Sequence, residues 1–338
     1  FLLGAGFSRA ISSSMPTLDG LSKMTWEAYS LKSGVAPDVA ELLQTDIEEA
    51  LSYLLLSKPW IREAEQLRHR ALFLEFSQVV ASVISRQEHD AIAFKHADVP
   101  PWIDSLLRFW HQNRCTIVTL NYDTLIERFA REFRPDPANK DTPCAPWHLY
   151  PAYLTNSASR SSGIWNSAPF ETFRILKLHG STNWFYSGRD SSHGEAIYYT
   201  CPTGPAAFWT KAGQFEEGQD RASVADKYPF IVPPIFDKTP LMTHESIQSL
   251  WAEAANALAA TSRLFVVGYS LPKSDRAMRY FLKNSLHPNA TVEVVSRGSD
   301  LVPRYQEALP HHKDRVAQHF AGENAVQHLV ASLAKRRR

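Results

Sequence analysis

Four short turns, each closing an apolar run, carry the residues of this chain best suited to chemistry. The first is Gly4-Ala5-Gly6-Phe7-Ser8, where glycines let a backbone approach a pyrophosphate and free amides at a helix start favour its charge. A full six-residue dinucleotide fingerprint is not completed, because Arg9 stands where the third glycine belongs. The second is Asn121-Tyr122-Asp123-Thr124, since a carboxamide at a strand end can hold a sugar hydroxyl or a water from both its donor and acceptor sides. Asp123 or Thr124 could equally cap the next helix, with Glu127 closing a capping box. The third, His179-Gly180-Ser181, offers the one side chain whose ordinary pKa suits proton transfer near neutrality, with Asn183 and Trp184 as one wall of a pocket. The fourth, Gly268-Tyr269-Ser270-Leu271-Pro272, is poised like a second phosphate loop before a helix capped by Ser274 or Asp275. A tight turn into a capped helix explains any one of these, but not their recurrence in one chain.

The elements around these turns have to bring them together. Six apolar runs, each followed by helical patterning, give the βα rhythm of a mostly parallel sheet. They are Phe1 to Leu3, Thr116 to Leu120, Arg174 to Leu178, Leu264 to Val267, Thr291 to Val295 and Arg315 to Phe320. In an open α/β sheet the ligand crevice lies outside the carboxyl ends of the strands, so turns far apart in sequence converge there. The expected fold class is therefore α/β: a Rossmann-like, mostly parallel six-stranded sheet with a large helical insertion and a smaller irregular subdomain. The chain, 1–338, reads as a single domain, with the helical insertion at 19–113. Within it Ala71, Leu72, Phe76, Val79, Val80 and Val83 recur at three- and four-residue spacing as a buried helix face. Asp19 is placed to cap a helix through Tyr29, and Pro100-Pro101 opens another that carries Trp102, Leu106, Leu107 and Trp110. Over 134–171 and 187–227, Pro, Gly, Ser and Asn with scattered aromatics replace any period, and such lengths tend to be functional lids or partner surfaces.

Composition removes several function classes. With 44% hydrophobic, 21% charged and 12% aromatic residues among 338, the chain can build a large core and is not a disordered segment. Basic and acidic side chains nearly cancel, 36 against 35, and leaving out the tail Lys335 to Arg338 takes the formal net charge from +1 to about −3. No nucleic-acid site is evident from such a balance. Cys115, Cys144 and Cys201 are widely spaced and form no C-x-x-C pair, which argues against a disulfide framework and a cysteine-built zinc site. A reducing, cytoplasmic setting and no metal are expected. The longest apolar runs fall short of the roughly 20 residues a bilayer span needs, so no membrane role is expected. The chain opens mid-strand on Phe1-Leu2-Leu3-Gly4 with no initiator Met, so a few residues are expected ahead of Phe1.

Taken in order, Gly-Ala-Gly-Phe-Ser at 4–8, Leu-Asn-Tyr-Asp at 120–123, Lys-Leu-His-Gly-Ser-x-Asn-Trp at 177–184 and Val-Gly-Tyr-Ser-Leu at 267–271 form a set. Through this set the chain from Phe1 to Ser296 resembles the sirtuin superfamily, and more closely the sirtuin-like NAD hydrolases of bacterial anti-phage defence systems. The resemblance implies NAD+ as substrate, cleaved to nicotinamide and ADP-ribose. It implies that Gly4, Ala5, Gly6 and Ser8 hold the pyrophosphate and ribose, and that Asn121 and Asp123 flank the nicotinamide ribose and nicotinamide. His179 would be the catalytic base, with Asn121 orienting the ribose and a water. Gly268 and Ser270 would line the diphosphate and adenosine side, with Ser296 standing where an adenosine-contacting Asn is common. The resemblance also implies an abortive-infection role, held in check by homo-oligomerisation or by a partner such as a HerA-like ATPase, an Argonaute-type protein or a phage component. Trp26, Trp60, Trp102 and Trp110 of the insertion, and Trp147 and Trp165 of the loops, are then the candidate partner surfaces.

The departures from protein-deacylating sirtuins matter as much. Those enzymes carry a four-cysteine zinc ribbon soon after the His-Gly motif, and only Cys201 lies in that interval here. Their acyl-lysine channel is bordered by a Phe-Gly-Glu segment, whereas this chain reads Ile231-Val232-Pro233-Pro234-Ile235-Phe236. Proline cannot donate the main-chain hydrogen bonds that pin an extended peptide, so deacylation loses support. Protein deacylation, ADP-ribosyl transfer and a catalytically silent nucleotide-binding module stand as the alternatives.

Overall fold

The computed structural model of the chain describes residues 1–30, 34–92, 100–133, 146–151, 153–156, 171–188, 192, 194–200, 224, 226–238 and 241–335. Its strands in chain order are β1 (Leu2–Leu3), β2 (Thr116–Thr119), β3 (Thr155–Asn156), β4 (Arg174–Lys177), β5 (Gly180–Tyr186), β6 (Tyr198–Tyr199), β7 (Tyr228–Ile231), β8 (Arg263–Val267), β9 (Thr291–Ser296) and β10 (Val316–Ala321). The expected runs pair into one six-stranded sheet of order β10-β9-β8-β1-β2-β4, parallel throughout. Such strands are apolar along their length because both faces are covered, and Ile117, Val118, Ile175, Leu264 and Val294 are all buried. From β1 the chain steps out to β2 and β4, then returns on the other side to β8, β9 and β10. Winding therefore reverses between β1 and β8, whose ends Gly4 and Gly268 flank the crevice that a reversal opens.

The helices before and around β2 are α1 (Ala5–Ile11), α2 (Leu18–Ala28), α3 (Pro37–Thr45), α4 (Ile47–Leu55), α5 (Glu63–Ile92), α6 (Trp102–Gln112) and α7 (Leu125–Phe133). Helices α2 to α5 pack around their own core of Leu43, Ile47, Leu51, Phe73, Phe76 and Val80, separate from the core of the sheet. Three details differ from the expectations. The buried face of the 30-residue α5 runs through Phe73, Phe76, Val80, Val83 and Ile84, while Ala71 is exposed. The N-cap position of α2 is Thr17, and Asp19 sits in its first turn. Helix α6 belongs to the sheet core, so Trp102 and Trp110 are buried there and offer no partner surface. Trp26 packs against the insertion core, and Trp60 is the exposed one at 72%.

A second sheet has the order β3-β6-β5-β7, with β5 antiparallel to β6 and β7, and is tied to the turn after β2 by the Thr182 N–H, which donates to the Tyr122 carbonyl at 2.9 Å. Its strand β5 begins directly after His179 at Gly180, whose φ of +78° and a Cβ position 2.3 Å from the Phe230 carbonyl oxygen leave no place for a side chain. The short strands β3 and β6 fall inside the stretches expected to be irregular. The segments 134–145, 157–170 and 201–223, with Cys144, Trp165 and Cys201, and the side chain of Trp147 lie outside the described residues. Cys115 is a partly buried free thiol. Among the described residues no helix is long and apolar enough to cross a membrane.

Candidate active site

The ends of β1 and β8 are locked together through their backbones. Gly6 N–H donates to the Gly268 carbonyl at 2.9 Å, and Phe7 N–H to the Gly4 carbonyl at 2.9 Å. Gly268 has φ +67°, and a Cβ there would lie 2.3 Å from the Phe7 nitrogen; one on Gly6 would lie 2.8 Å from the Gly268 Cα. The glycines of both loops are thus required by the loops' own contact. This also narrows the phosphate expectation, because the Gly6 and Phe7 amides are already spent on the loops' own contacts, while Ala5 is exposed.

The second turn is anchored from below. Asn121 Nδ2 donates to the Gly4 carbonyl at 3.0 Å and to Ser8 Oγ at 2.9 Å, and Ser8 Oγ donates to Asp123 Oδ2 at 2.6 Å. A carbonyl only accepts, so the orientation of the amide is fixed, and Asn121 Oδ1 is the group left for a ligand. Ser8 is buried and its hydroxyl is committed on both sides, so it links Asn121 to Asp123. Asp123 is buried as well; burial pushes its carboxyl up to about 6, with the Lys177 ammonium opposing. Its other oxygen accepts from Leu125 N–H at 3.3 Å, a local cap on α7. Glu127 closes no capping box: its carboxylate takes the Tyr150 hydroxyl at 2.6 Å and the Lys177 ammonium at 3.1 Å.

His179 follows β4 and is 5% exposed, with Nε2 enclosed and without a hydrogen-bond partner among the described residues. Burial first, and the Lys238 charge second, hold its basicity down to about 3, against an upward pull from Asp275. Beside it the Tyr122 hydroxyl donates to the Val232 carbonyl at 2.6 Å, and Val232 N–H donates to the His179 carbonyl at 2.8 Å. Both main-chain groups of Val232 are therefore used, and Pro233 and Pro234 have no N–H to offer. Ile235 then buries its side chain in the insertion core, and Phe236 N–H donates to Ser52 Oγ at 2.9 Å.

These groups share one cavity of about 530 Å³, within the range of small-molecule sites. Of the sequence-predicted residues it is lined by Gly4, Ala5, Gly6, Ser8, Asn121, Asp123, His179, Gly268 and Ser270. Ser296 is not among the lining residues, and its hydroxyl donates to the Gly298 carbonyl at 2.5 Å. Glu48 from α4, Lys238 and Asp275 also line it and went unrecognised as site residues in sequence. Asp275 caps the helix Arg276–Ser285, accepts the Tyr269 hydroxyl at 2.8 Å and lies 3.8 Å from the Lys238 ammonium. Ser274 Oγ donates to Glu48 Oε2 at 3.2 Å, so the insertion is tied to the end of β8 across the crevice. Burial raises the Glu48 carboxyl, with Lys238 pulling the other way. Among the described residues no group of His, Cys, Asp and Glu is arranged to hold a metal ion.

No protein-family model matches the chain, and no curated protein matches it. Solved structures do. A Sir2 homologue in complex with NAD has a TM-score of 0.43 at 12% identity, over 99% of this chain and 88% of that one. A structure described as the basis for the mechanism and regulation of Sir2 enzymes gives 0.40 at 13%, and a Sir2 complex with a p53 peptide and NAD+ gives 0.39 at 13%, each over 99% of this chain and 91% of the other. Likeness at this level fixes no chemistry, which has to come from the side chains in the cavity.

Proposed function

We propose that the chain is an NAD+ glycohydrolase, cleaving NAD+ and water to nicotinamide, ADP-ribose and a proton. The observation that carries this is the pinning of Asn121: with its amide hydrogens held by Gly4 and Ser8, its carbonyl oxygen is left for a hydroxyl or water in a cavity that also holds His179. In this reading the bond from the anomeric carbon to the pyridinium nitrogen breaks first. Its electron pair neutralises the ring, so no strong acid is needed, and an oxocarbenium-like cation forms on the ribose. Water adds to that carbon and its proton leaves to solvent. Asn121 positions the ribose and the water. His179, kept neutral by burial, presents a lone pair that orients the attacking water; a base this weak does not store the proton. Asp19, Glu48, Asp123 and Asp275 against Lys238, the one lysine or arginine among the described lining residues, favour a cation in the cavity.

A peptide substrate fits poorly, because the Val232 main chain is closed by Tyr122 and His179 and is followed by two prolines. The test is NAD+ turnover with and without an acyl-lysine peptide. Nicotinamide release independent of peptide is expected; strict dependence on peptide would establish the deacylase reading instead. In the same reading the enzyme is a cytoplasmic effector of anti-phage defence. A free hydrolase would drain its own cell, so its gate is homo-oligomerisation or an outside partner such as a HerA-like ATPase, an Argonaute-type protein or a phage component. Exposed Leu56, Trp60, Leu67 and Leu74 on the insertion support such a contact.

A further inference from the structure

Lys177 is the last residue of β4, the edge strand of the parallel sheet, two residues before His179, and is 1% exposed where an apolar residue is the rule. It does not line the cavity. Its ammonium donates to the main-chain carbonyl of Asp123 and to Glu127 Oε1 at 3.1 Å, and Glu127 is equally buried. Glu127 in turn accepts the Tyr150 hydroxyl, which lies 3.3 Å from Asn183 Oδ1, and Asn183 Nδ2 donates to the Thr200 carbonyl at 2.7 Å. Every polar group in this chain of contacts has a partner, and its upper end is the Asn121 turn. Register adds to this: Lys177 pairs with Thr119, whose hydroxyl accepts from Asn121 N–H at 3.1 Å.

Building on the glycohydrolase reading, we propose that Lys177 is a positioning residue for the reaction, holding Asp123 as a carboxylate and thereby, through Ser8, the orientation of Asn121. An ionised Asp123 can only accept, so the Ser8 proton points to it and the Ser8 lone pair faces Asn121 Nδ2. A protonated Asp123 donates instead, releases the Ser8 proton to turn elsewhere, and leaves the Gly4 carbonyl as the one remaining anchor of the amide, so that its carbonyl is aimed less firmly at the ligand. The charged groups facing Asp123 are Lys177 from β4, Glu127 from α7 and Glu88 from α5. Glu88 is held by Thr124 and by the Arg128 guanidinium. Lys177 is thus the cation that opposes two carboxylates and burial.

The test uses the full chain, comparing wild type with Lys177→Met and Glu127→Gln. Two quantities are followed against pH: the rate of NAD+ cleavage, and the carboxyl titration of Asp123 by carbon NMR, assigned by its loss in Asp123→Asn. Wild type should lose kcat as pH falls through about 6, together with the Asp123 titration. In Lys177→Met both should move to higher pH, lowering kcat near neutrality by roughly tenfold with a smaller change in KM. In Glu127→Gln, where Asp123 becomes the counter-charge of Lys177, both should move to lower pH. A purely structural role predicts lower activity in either variant with an unmoved acid limb, and that result overturns the proposal. If Lys177→Met does not fold, the direction of the shift in Glu127→Gln decides alone. Should wild type cleave no NAD+, the glycohydrolase reading fails by itself, while the NMR titrations still show whether Lys177 sets the charge of Asp123; unmoved titrations overturn the proposal.

Discussion

A histidine enclosed without a partner should make the protein sensitive to acid in a way that can be assigned to one residue. His179 is held neutral, down to about 3 from an ordinary 6.5, so the native state refuses a proton that the unfolded chain accepts once the pH falls below about 6.5. The direction is that of a lowered basic group: its contribution is intact above the unfolded value and is lost progressively as pH falls towards the folded one. Each pH unit in that window costs about 1.4 kcal/mol, so about 2 kcal/mol is lost by pH 5. Asp123, raised to about 6, contributes in the opposite direction, and His148, lowered to about 4, adds to the loss. Comparison with His179→Asn cancels both. Urea unfolding at about pH 7.5 and about pH 5 should show the stability gap between wild type and variant shrinking by about 2 kcal/mol at the lower pH. A gap that stays constant across this range would mean that His179 is not buried neutral, and would remove the basis for treating it as a hydrogen-bond acceptor.

Asn121→Ala should lower NAD+ cleavage by roughly 10²-fold or more while circular dichroism and unfolding midpoint change little, since the side chain is only partly buried; wild-type rates would remove Asn121 from the site. Gly268→Ala should destabilise the protein by at least about 2 kcal/mol in denaturant titration, because φ +67° and a backbone nitrogen 2.3 Å from the new Cβ are both resisted; a neutral substitution would show that the two loops do not touch as described.

The six strands were legible because a parallel strand covered on both faces is a continuous apolar run closed by a polar turn, and only their ends moved, by a residue or two. Asn121 and His179 were legible for the same reason, as polar residues at the carboxyl ends of such runs. Glu48 was not: in the first turn of α4, beside Glu49, it looks like any acid placed for the helix dipole, and only the packing of α4 over the crevice turns it inward. Lys238 lies in an aperiodic, proline-rich segment whose course is set by Tyr122, His179 and Ser52, three residues remote in sequence. Ser8 and Asp123 were found by motif, but their roles depended on where a hydroxyl proton points, which no spacing encodes. The buried face of α5 was displaced at one end because Ala71 fits either side of a helix, whereas the larger Phe73 had to be inside.

The central claim is that this cavity breaks the nicotinamide glycosidic bond with water and needs no second substrate. The most direct measurement incubates purified wild type and Asn121→Ala, matched for folded protein, with NAD+ alone and quantifies nicotinamide and ADP-ribose by chromatography. Equal amounts of both products from wild type, with at least roughly 10²-fold less from the variant, are predicted. Nicotinamide formed at the same rate by both proteins, or by wild type only when an acyl-lysine peptide is present, would contradict the account.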